Sequence, residues 1–570
     1  MSNKNIKIQE FFDLGLQNFK KNNLKDAESF FKEVLNIEPN HLESIFLLGI
    51  LCAQNNNIKE AKKLFERVVQ IDSNNIEAHY NLALAYYKLG EFNNSINCYE
   101  KVIQIDSKHI DAYHNLGALL SELGDFKKAK ACYEKLIKID SSQADVHYNL
   151  GNVFKELEEI KKSKHCYEKA IQINPKHVLA HNNLGIIFYK LKELQKAIIC
   201  HEKAITIKPN YADGYHNLGI VLSELGYFIK AKNYYEKAIQ INPKHIQANY
   251  RLGLLLLENG YYEKGFEKYE WRKKFPFKSY DTKNLTSLEW QGEDLNNKTI
   301  LILSEQGWGD IIQFSRYLYI LEKEYSVNII FRTNKKIMHF FNNDNFKVIS
   351  EEEPIPKHEF YKHLMSLPKI FYKKTKTFPN QINYIPENKK IFSKWKNQLQ
   401  KIKGLKVGIY WQGRKTYPKD HLRSVSLNQF EQLFNIKGVN FISLQKGFGS
   451  EQINNFKYKH KLNDFSYDVD NGLNIFEDTI GILKNIDLVI TIDSSMAHLS
   501  ATLGIKTWVL LNFCHDWRWN LINKEFSWYE NLKIYRQDKD NKWDSIFNSL
   551  KKDLVASLTD SKHNIHVNIN

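Results

Sequence analysis

A small residue recurs every 34 positions through the first half of this chain, and this spacing constrains the fold more than any other feature. The column holds only glycine or alanine, without an insertion or deletion: Gly15, Gly49, Ala83, Gly117, Gly151, Gly185, Gly219 and Gly253. Several repeats end in a proline, which cannot continue a helix: Pro39, Pro175, Pro209 and Pro243. The period predicts stacked helix pairs in an all-α solenoid of eight repeats, from 8–41 to 246–279.

A second column of small residues follows twelve positions after the first: Ala27, Ala61, Ser95, Ala129, Ser163, Ala197, Ala231 and Gly265. With the apolar stripe of each first helix, this pattern resembles the tetratricopeptide repeat (TPR) family. The resemblance implies a TPR solenoid over residues 1–279 whose first helices line a concave groove. We expect such a solenoid to bind a partner rather than to catalyse a reaction.

Asparagines and acids form two further columns on the predicted first helices. The asparagines occupy the sixth position of their repeats: Asn81, Asn115, Asn149, Asn183 and Asn217. The acids lie four residues earlier, on the same helix face: Glu43, Glu77, Asp111, Asp145 and Asp213. An amide can bracket a peptide group, so a polypeptide is one predicted ligand; the alternative is that each asparagine only bonds to a neighbouring repeat. The ladder resembles that of protein O-GlcNAc transferases, which implies an acceptor polypeptide in the groove.

Charge and cysteine content limit the classes of binding partner and the cellular compartment that we expect for this chain. The net charge is +16, but no basic block stands out, so nucleic acid is not indicated. Six cysteines fit a reducing compartment, and four recur at one repeat position that we expect to be buried: Cys98, Cys132, Cys166 and Cys200. The sequence shows neither the apolar core of a signal peptide nor a stretch of membrane-spanning length. We therefore expect a soluble, cytoplasmic protein.

The second half of the chain alternates short strands with helices. An apolar strand at 299–303 ends in SEQGWGD and leads into a helix. A second block begins at Leu405 and includes the strand DLVITID at 487–493. Two such blocks predict an α/β region with two Rossmann-like lobes. For residues 342–400 the sequence predicts irregular connections and a few short strands.

The predicted domains follow from these changes of pattern. They are a TPR solenoid at 1–279, a linker at 280–298, a first lobe at 299–400, a second lobe at 401–557 and a frayed tail at 558–570.

One candidate site residue follows the first strand. Asp310 lies where that strand has ended and a helix begins, at the sheet edge where ligands bind. A carboxylate there can accept a proton from an incoming hydroxyl; the alternative is that Asp310 only caps its helix. Because a helix N-terminus lowers the pKa of a carboxyl, Asp310 serves as a base only if charge transfer is late or the site is desolvated.

A second candidate site is the sequence DSSMAH, residues 493–498, which closes a buried strand and starts a helix. The N–H groups of that helix start, with the Ser494 and Ser495 hydroxyls, predict a diphosphate site. His498 lies one turn further and can donate to the same group. The alternative is that the serines cap the helix and that His498 is a core residue.

The order of motifs EQGWGDIIQFSRYL, VGIYWQG, RSVSL, SLQKG, DLVITIDSSMAHLSATLG and DWRW resembles bacterial TPR-fused glycosyltransferases. Their catalytic half is similar to the ADP-heptose:lipopolysaccharide heptosyltransferase family. The resemblance covers about 285–545 and implies a GT-B fold, a nucleotide-diphosphate sugar as donor, a hydroxyl acceptor, inversion, and no metal or other cofactor. This chain has Ser-Ser where that family usually has Thr-Gly, which leaves the donor sugar open.

The resemblance also assigns roles to residues. Asp310 is the expected catalytic base. The expected donor and diphosphate contacts are Asp493, Ser494, Ser495, His498, Arg414, Arg423 and Gly309. For both arginines the alternative is a solvated loop charge.

The dense aromatic motif Asp516–Trp519 can stack on a base or sugar, or pack between the lobes; we expect packing. Three functions remain open at this stage. The chain can be a transferase with a protein acceptor, a transferase of cell-envelope glycans with a partner protein on the TPR half, or a non-enzymatic scaffold with a degenerate transferase domain.

Overall fold

The structure, a computed structural model, describes residues 3–277, 282, 285–341, 346–380, 383–417, 420–513, 516–519, 528–538 and 542–567. The chain divides into two compact units, Met1–Val221 and Leu222–Asn570. The all-α repeats come first and the α/β region with two parallel sheets follows, as the sequence predicts.

The first unit consists of helix pairs whose lengths repeat. In most pairs a helix of 13 residues is followed by one of 14. The helices are α1 (Asn3–Lys20), α2 (Leu24–Ile37), α3 (Leu42–Gln54), α4 (Ile58–Ile71), α5 (Ile76–Lys88), α6 (Phe92–Ile105), α7 (Ile110–Glu122), α8 (Phe126–Ile139), α9 (Ala144–Glu156), α10 (Ile160–Ile173), α11 (Val178–Lys190), α12 (Leu194–Ile207) and α13 (Ala212–Glu224), the last of which crosses into the second unit.

The glycine column exists because an aromatic ring of the following helix lies against it. A Cβ atom on Gly151 would stand 2.7 Å from Cε1 of Tyr167, closer than carbon atoms approach. The same slot faces Phe31, Phe65 and Tyr133 in other repeats. The second small column is fully buried where the two helices meet. Side-chain volume at these two columns therefore fixes the spacing within each helix pair.

The second unit begins with the last repeats and continues into the α/β region. Its first helices are α14 (Phe228–Ile241), α15 (Ile246–Glu258) and α16 (Tyr262–Tyr269), followed by a 3₁₀ helix at Glu270–Lys274. The later helices are α17 (Trp308–Phe314), α18 (Arg316–Glu324), α19 (Leu367–Thr375), α20 (Lys389–Leu399), α21 (Asp420–Arg423), α22 (Glu477–Leu483), α23 (Ser495–Thr502) and α24 (Asp544–Val567).

Two wholly parallel sheets lie in this unit. The first sheet has the order β1-β5-β2-β3-β4, with β1 (Leu288–Glu289), β2 (Thr299–Leu303), β3 (Asn328–Thr333), β4 (Lys347–Ser350) and β5 (Phe360–His363). The second sheet has the order β11-β10-β9-β6-β7-β8, with β6 (Leu405–Tyr410), β7 (Val439–Ser443), β8 (Leu462–Asp464), β9 (Leu488–Ile492), β10 (Thr507–Leu511) and β11 (Leu532–Arg536). This architecture is consistent with two Rossmann-like lobes.

Strand order reverses once in each sheet, and this positions the loops. In the first sheet the reversal lies between β2 and β5, and in the second between β6 and β9. The loops that leave such neighbouring strands diverge to opposite faces and open a crevice at the carboxyl edge. The loops after β2, β5, β6 and β9 are therefore the ones that can hold a ligand.

The structure differs from the sequence analysis in three segments. Residues 342–400 contain the well-formed helices α19 and α20 in addition to the expected short strands. The segment at 280–298 contributes edge strand β1 and the fully buried Trp290. Helix α24 continues to Val567, into the residues expected to be a tail. The domain boundaries themselves stay predictions.

A buried ion pair joins the last repeat to the first sheet. Arg272 donates to both carboxylate oxygens of Glu305, at 3.0 and 2.7 Å, and to Glu270 at 2.8 Å. It also donates to the Ser366 hydroxyl. Arg272 and Glu305 are almost completely buried. Since Glu305 directly precedes the turn that carries Asp310, this contact fixes where the candidate site begins.

Candidate functional site

The two candidate loops, which the sequence identifies separately, lie against each other. A Cβ atom built on Gly309 would stand 3.3 Å from Cα of Ser495 and 3.1 Å from Cδ2 of His498. Gly309 belongs to the first turn of α17, after β2, and Ser495 begins α23, after β9. A side chain on Gly309 would press on both neighbours, which would have to give by a few tenths of an ångström. The two helix starts therefore lie directly against each other.

Asp310 is the third residue of α17 and makes two bonds. Its Oδ2 accepts from the Gly307 N–H at 2.9 Å, so it does cap its helix. Its Oδ1 accepts from the Arg518 guanidinium at 2.5 Å. Burial raises the pKa of Asp310 above its ordinary value, although Arg518 and the Gly307 N–H oppose the change. The direction is opposite to the effect of a helix N-terminus alone, because burial outweighs it. A role as catalytic base stays a prediction.

Asp493 closes β9 and bonds to residues from two other segments. Its Oδ1 accepts from the Trp519 indole N–H at 2.8 Å, and its backbone carbonyl accepts from Arg423 at 2.9 Å. Burial and the nearby Asp516 carboxylate raise the pKa of Asp493 to about 6. Asp493 thus holds a carboxyl group that titrates near neutral pH.

The serines and His498 behave partly as the capping alternative predicts. The Ser494 hydroxyl accepts from the Met496 N–H at 3.2 Å and caps α23. His498 is buried, lies 3.1 Å from the Tyr529 hydroxyl through Nδ1, and stacks on Trp519 at 4.8 Å between centroids. Burial lowers the pKa of His498 well below its usual range, so the ring is neutral. A diphosphate role for these residues stays a prediction.

The two predicted arginines lie in different environments. Arg414 is exposed on the loop after β6. Arg423 bonds to Asp420 at 3.0 Å through Nε, reaches the Asp493 carbonyl, and lies 4.3 Å from the ring centroid of Tyr417. The structure therefore brings Arg423 to the candidate site, whereas Arg414 faces solvent.

The motif Asp516–Trp519 packs in the core through its aromatic rings and also makes polar contacts. Trp517 packs on Phe266 and Tyr269 of the last repeat and on Phe314 of α17, at centroid distances of 5.7, 6.1 and 6.1 Å. Arg518 bridges Asp310 and Asp516, and Trp519 bonds to Asp493. Sequence reasoning missed Arg518 and Trp519 as site residues, although the density of aromatic and charged residues was a usable signal.

The asparagine column of the repeats is built into the stack. Asn115 donates to the Tyr80 hydroxyl at 2.9 Å, one repeat earlier, and Asn217 donates to Oδ1 of Asn182 at 2.9 Å. Asn183 donates to Asn152 at 2.9 Å, and Asn149 lies 3.5 Å from the His114 ring nitrogen. Asn81 instead donates to its own helix, at the Glu77 carbonyl. Four of the five amides thus contact a neighbouring repeat, as the alternative predicts, and Asn81 does not.

Two features are absent from the described residues. None of the helices in these ranges is both long and apolar enough to span a bilayer. Within the same part of the chain, histidine, cysteine, aspartate and glutamate side chains do not gather in threes around a possible metal position.

Comparison with known proteins identifies the first half. Models described as tetratricopeptide repeat match residues 75–142, 144–177, 178–211, 212–245 and 234–266. The N-terminal part of this chain is a TPR array. A model described as anaphase-promoting complex, cyclosome, subunit 3 matches residues 20–102.

The more distant similarities concern parts of the chain. Protein FlbA of Caulobacter vibrioides is 20% identical over 307 residues, which is 49% of this chain. The chain spans about half the length of this curated relative, 50%. A crystal structure of MamA protein is 25% identical, with a TM-score of 0.28, and covers 30% of this chain and 92% of its own. YrrB, described as a TPR protein with an unusual peptide-binding site, is 24% identical, with a TM-score of 0.29, and covers 32% and 95%.

Proposed function

We propose that the α/β region is a GT-B glycosyltransferase that moves a sugar from a nucleotide-diphosphate sugar to a hydroxyl acceptor, with inversion. The observation that carries the proposal is the contact of Gly309 with Ser495 and His498. It unites a carboxylate after β2 with a helix start after β9, at the carboxyl edges of two parallel sheets. Glycosyl transfer needs a base for the acceptor and a diphosphate site separated by about the length of one sugar. The proximity of Asp310 and the start of α23 supports this arrangement.

The reaction follows from these groups. Asp310 accepts the proton of the acceptor hydroxyl, whose oxygen forms a bond to the anomeric carbon while the bond from that carbon to the diphosphate oxygen breaks. A positioned base of this kind contributes about 10²–10⁴-fold to the rate. The start of α23 and the nearby guanidinium groups stabilise the negative charge on the leaving diphosphate. Arg423 and Ser495 are the predicted contacts of that group.

The test is a screen of nucleotide-diphosphate sugars by thermal shift, followed by a transfer or hydrolysis assay with each donor that binds. A bound donor stabilises the native state by mass action. Asp310→Asn should bind the donor and lose turnover by at least about 100-fold. Asp468→Asn, at an exposed aspartate, is the matched control and should keep full activity. An active Asp310→Asn variant contradicts the base assignment.

We further propose that the TPR array binds a protein, as acceptor or as partner. Since Asn115, Asn183 and Asn217 already donate to neighbouring repeats, we expect the exposed acids Glu77 and Asp111 to contact the ligand. These groups favour polypeptides rich in lysine, arginine or hydroxyl side chains. Glu77→Gln with Asp111→Asn removes two exposed charges without touching the asparagine bonds. Binding of labelled lysine- and serine-rich peptides, read by fluorescence anisotropy, should weaken; unchanged affinity contradicts the proposal.

A second candidate, a non-enzymatic scaffold, has one observation in its favour. Asp310 is already engaged by Arg518, and His498 is already bonded and stacked in the core. A degenerate transferase would look like this. Absence of binding to every nucleotide sugar in the screen, with intact peptide binding, would favour the scaffold. An active transferase that accepts a glycan but no protein would instead favour the cell-envelope alternative.

A further inference from the structure

Arg518 holds carboxylates that come from two different sheets. Its guanidinium donates to Asp310, after β2, at 2.5 Å and to Asp516, after β10, at 2.7 Å. The side chain is 8% exposed and also lies against the rings of Phe314 and Trp517. A buried guanidinium needs anionic partners, and here they are the two carboxylates.

Carboxylates and guanidinium groups lie close together beside the start of α23. Arg423 and Arg518 both favour the charged form of Asp493, and Arg518 favours that of Asp310. Arg423 is already engaged by Asp420, by the Asp493 carbonyl and by the Tyr417 ring. Arg518 retains a buried Nε–H without an acceptor among the described residues. Arg518 therefore has donor capacity left for another anion.

Asp310 cannot act as a free base while Arg518 holds it. An ion pair at 2.5 Å stabilises the charged carboxylate and opposes its protonation. An anion with more oxygens than one carboxylate can replace it on the guanidinium, because the planar fork of arginine binds phosphate oxygens in pairs. Arrival of such an anion would release Asp310.

We propose that Arg518 is a diphosphate-binding residue of this site and that it exchanges Asp310 for the diphosphate, which frees the Asp310 carboxylate. The inference rests on the proposed function for the identity of the anion. It assigns to Arg518 the contact that the sequence predicts for Arg414, which is exposed. Anion binding and release of the carboxylate are then one event.

A double-mutant cycle with inorganic pyrophosphate tests the exchange. The dissociation constant is measured by calorimetry at pH 7.5 and fixed ionic strength for the full chain, Arg518→Ala, Asp310→Asn and the double variant. Arg518→Ala should weaken binding by about tenfold or more, the usual worth of a charge-assisted bond. Asp310→Asn should tighten it, because the competitor for Arg518 is gone. Arg67→Ala, in the repeats, controls for the loss of one arginine charge.

The coupling energy between Arg518 and Asp310 distinguishes the proposed exchange from simple repulsion between Asp310 and the anion. Removal of the Asp310 charge favours any nearby anion, so some gain persists without Arg518. The proposal requires the gain from Asp310→Asn to be at least about threefold larger with Arg518 present than in the Arg518→Ala background. Additive effects, weaker binding by Asp310→Asn, or no pyrophosphate binding by the wild-type chain would each overturn it.

A second variant covers the case in which Arg518→Ala does not fold. Arg518→Lys keeps the charge but not the fork, and should bind pyrophosphate with an intermediate affinity. The result is separable from that of the glycosyltransferase proposal. If the cycle shows coupling but no nucleotide sugar is turned over, the exchange is supported and the glycosyltransferase reaction is refuted. If sugar is transferred but the pyrophosphate effects are additive, the reaction is supported and the exchange is refuted.

Discussion

The indole Nε1 of Trp519 donates a 2.8 Å hydrogen bond to Oδ1 of Asp493. The bond favours the charged carboxylate, but burial and the Asp516 charge outweigh it, so the pKa of Asp493 rises to about 6. The same indole stacks on His498. Trp519 thereby contacts both Asp493, which precedes α23, and His498, which lies within it.

We predict that Asp493→Asn changes how stability depends on pH. The pKa of Asp493 in the folded chain lies above its unfolded value of 3.8, so the folded chain binds this proton more tightly than the unfolded chain does. The stabilisation is fully present below pH 4 and is lost as pH rises through 6, a change of up to about 3 kcal/mol. Asparagine keeps the acceptor for Trp519 without the charge. The free energy of unfolding of the variant, relative to that of the wild type, should therefore increase as pH rises from 4 to 7.

Urea unfolding followed by tryptophan fluorescence measures this difference, because all ten tryptophans lie at 271–543, in the second unit. Asp468→Asn, at an exposed aspartate, is the control and should follow the wild type. A constant gap between Asp493→Asn and the wild type across this range would show that Asp493 does not titrate near 6.

Arg272→Met should destabilise the second unit by about 3–5 kcal/mol, because it leaves the Glu305 carboxylate buried without its cation, whereas Glu270 keeps Lys273 at 2.9 Å. Arg272→Met with Glu305→Gln should recover part of that loss, since the glutamine is neutral and still accepts from the Met365 N–H. Urea midpoints from tryptophan fluorescence measure both. If the double variant is no more stable than Arg272→Met, the buried charge is not the cause.

Gly309→Ala tests the closeness of the two loops. Its Cβ would lie 3.1 Å from His498 and 3.3 Å from the Ser495 backbone, so these neighbours must shift by a few tenths of an ångström. Overpacking of this kind costs about 1–3 kcal/mol. Gly472→Ala is the matched control, because a Cβ there meets nothing within 4 Å. Equal urea midpoints for the two variants would mean that the loops move apart freely.

The sequence predicts repeats and strands well because both depend on local periodicity. Strands at 299–303 and 487–493 correspond to β2 and β9, and the glycine column corresponds to real helix contacts. Helix α20 was not predicted, although Ile391, Trp395 and Leu399 recur every four positions in its lysine-rich sequence KKIFSKWKNQL.

The site was only partly predictable, for a different reason. Asp310 and Arg518 are 208 residues apart, and nothing local in either motif reveals the partner. The direction of the Asp310 pKa shift likewise depends on burial by distant segments. The asparagine column was visible in the sequence, but whether its amides face a ligand or a neighbouring repeat required the positions of Tyr80 and Asn182.

The last prediction concerns the one histidine in an aromatic column of the repeats. His201 packs against Gly185 where other repeats place Phe31, Phe65 or Tyr167 against their glycine. It is buried, and Nδ1 lies 3.2 Å from Oδ1 of Asn182. Burial lowers the pKa of His201 to about 4.

His201→Phe should therefore make the first unit less sensitive to acid. The unfolded chain takes up a proton below pH 6.5 while the folded histidine stays neutral to about 4, so stability present above 6.5 is lost as pH falls, by up to about 3 kcal/mol. Phenylalanine has no such loss, and Asn182 keeps a bond from Asn217. Thermal melting followed by circular dichroism at 222 nm should show a gap between variant and wild type that widens from pH 7 to pH 4.5. Tyr167→His should create the same acid sensitivity one repeat earlier. A gap that stays constant with pH would mean that His201 has the same pKa in the folded and the unfolded chain, so that burial does not control its charge.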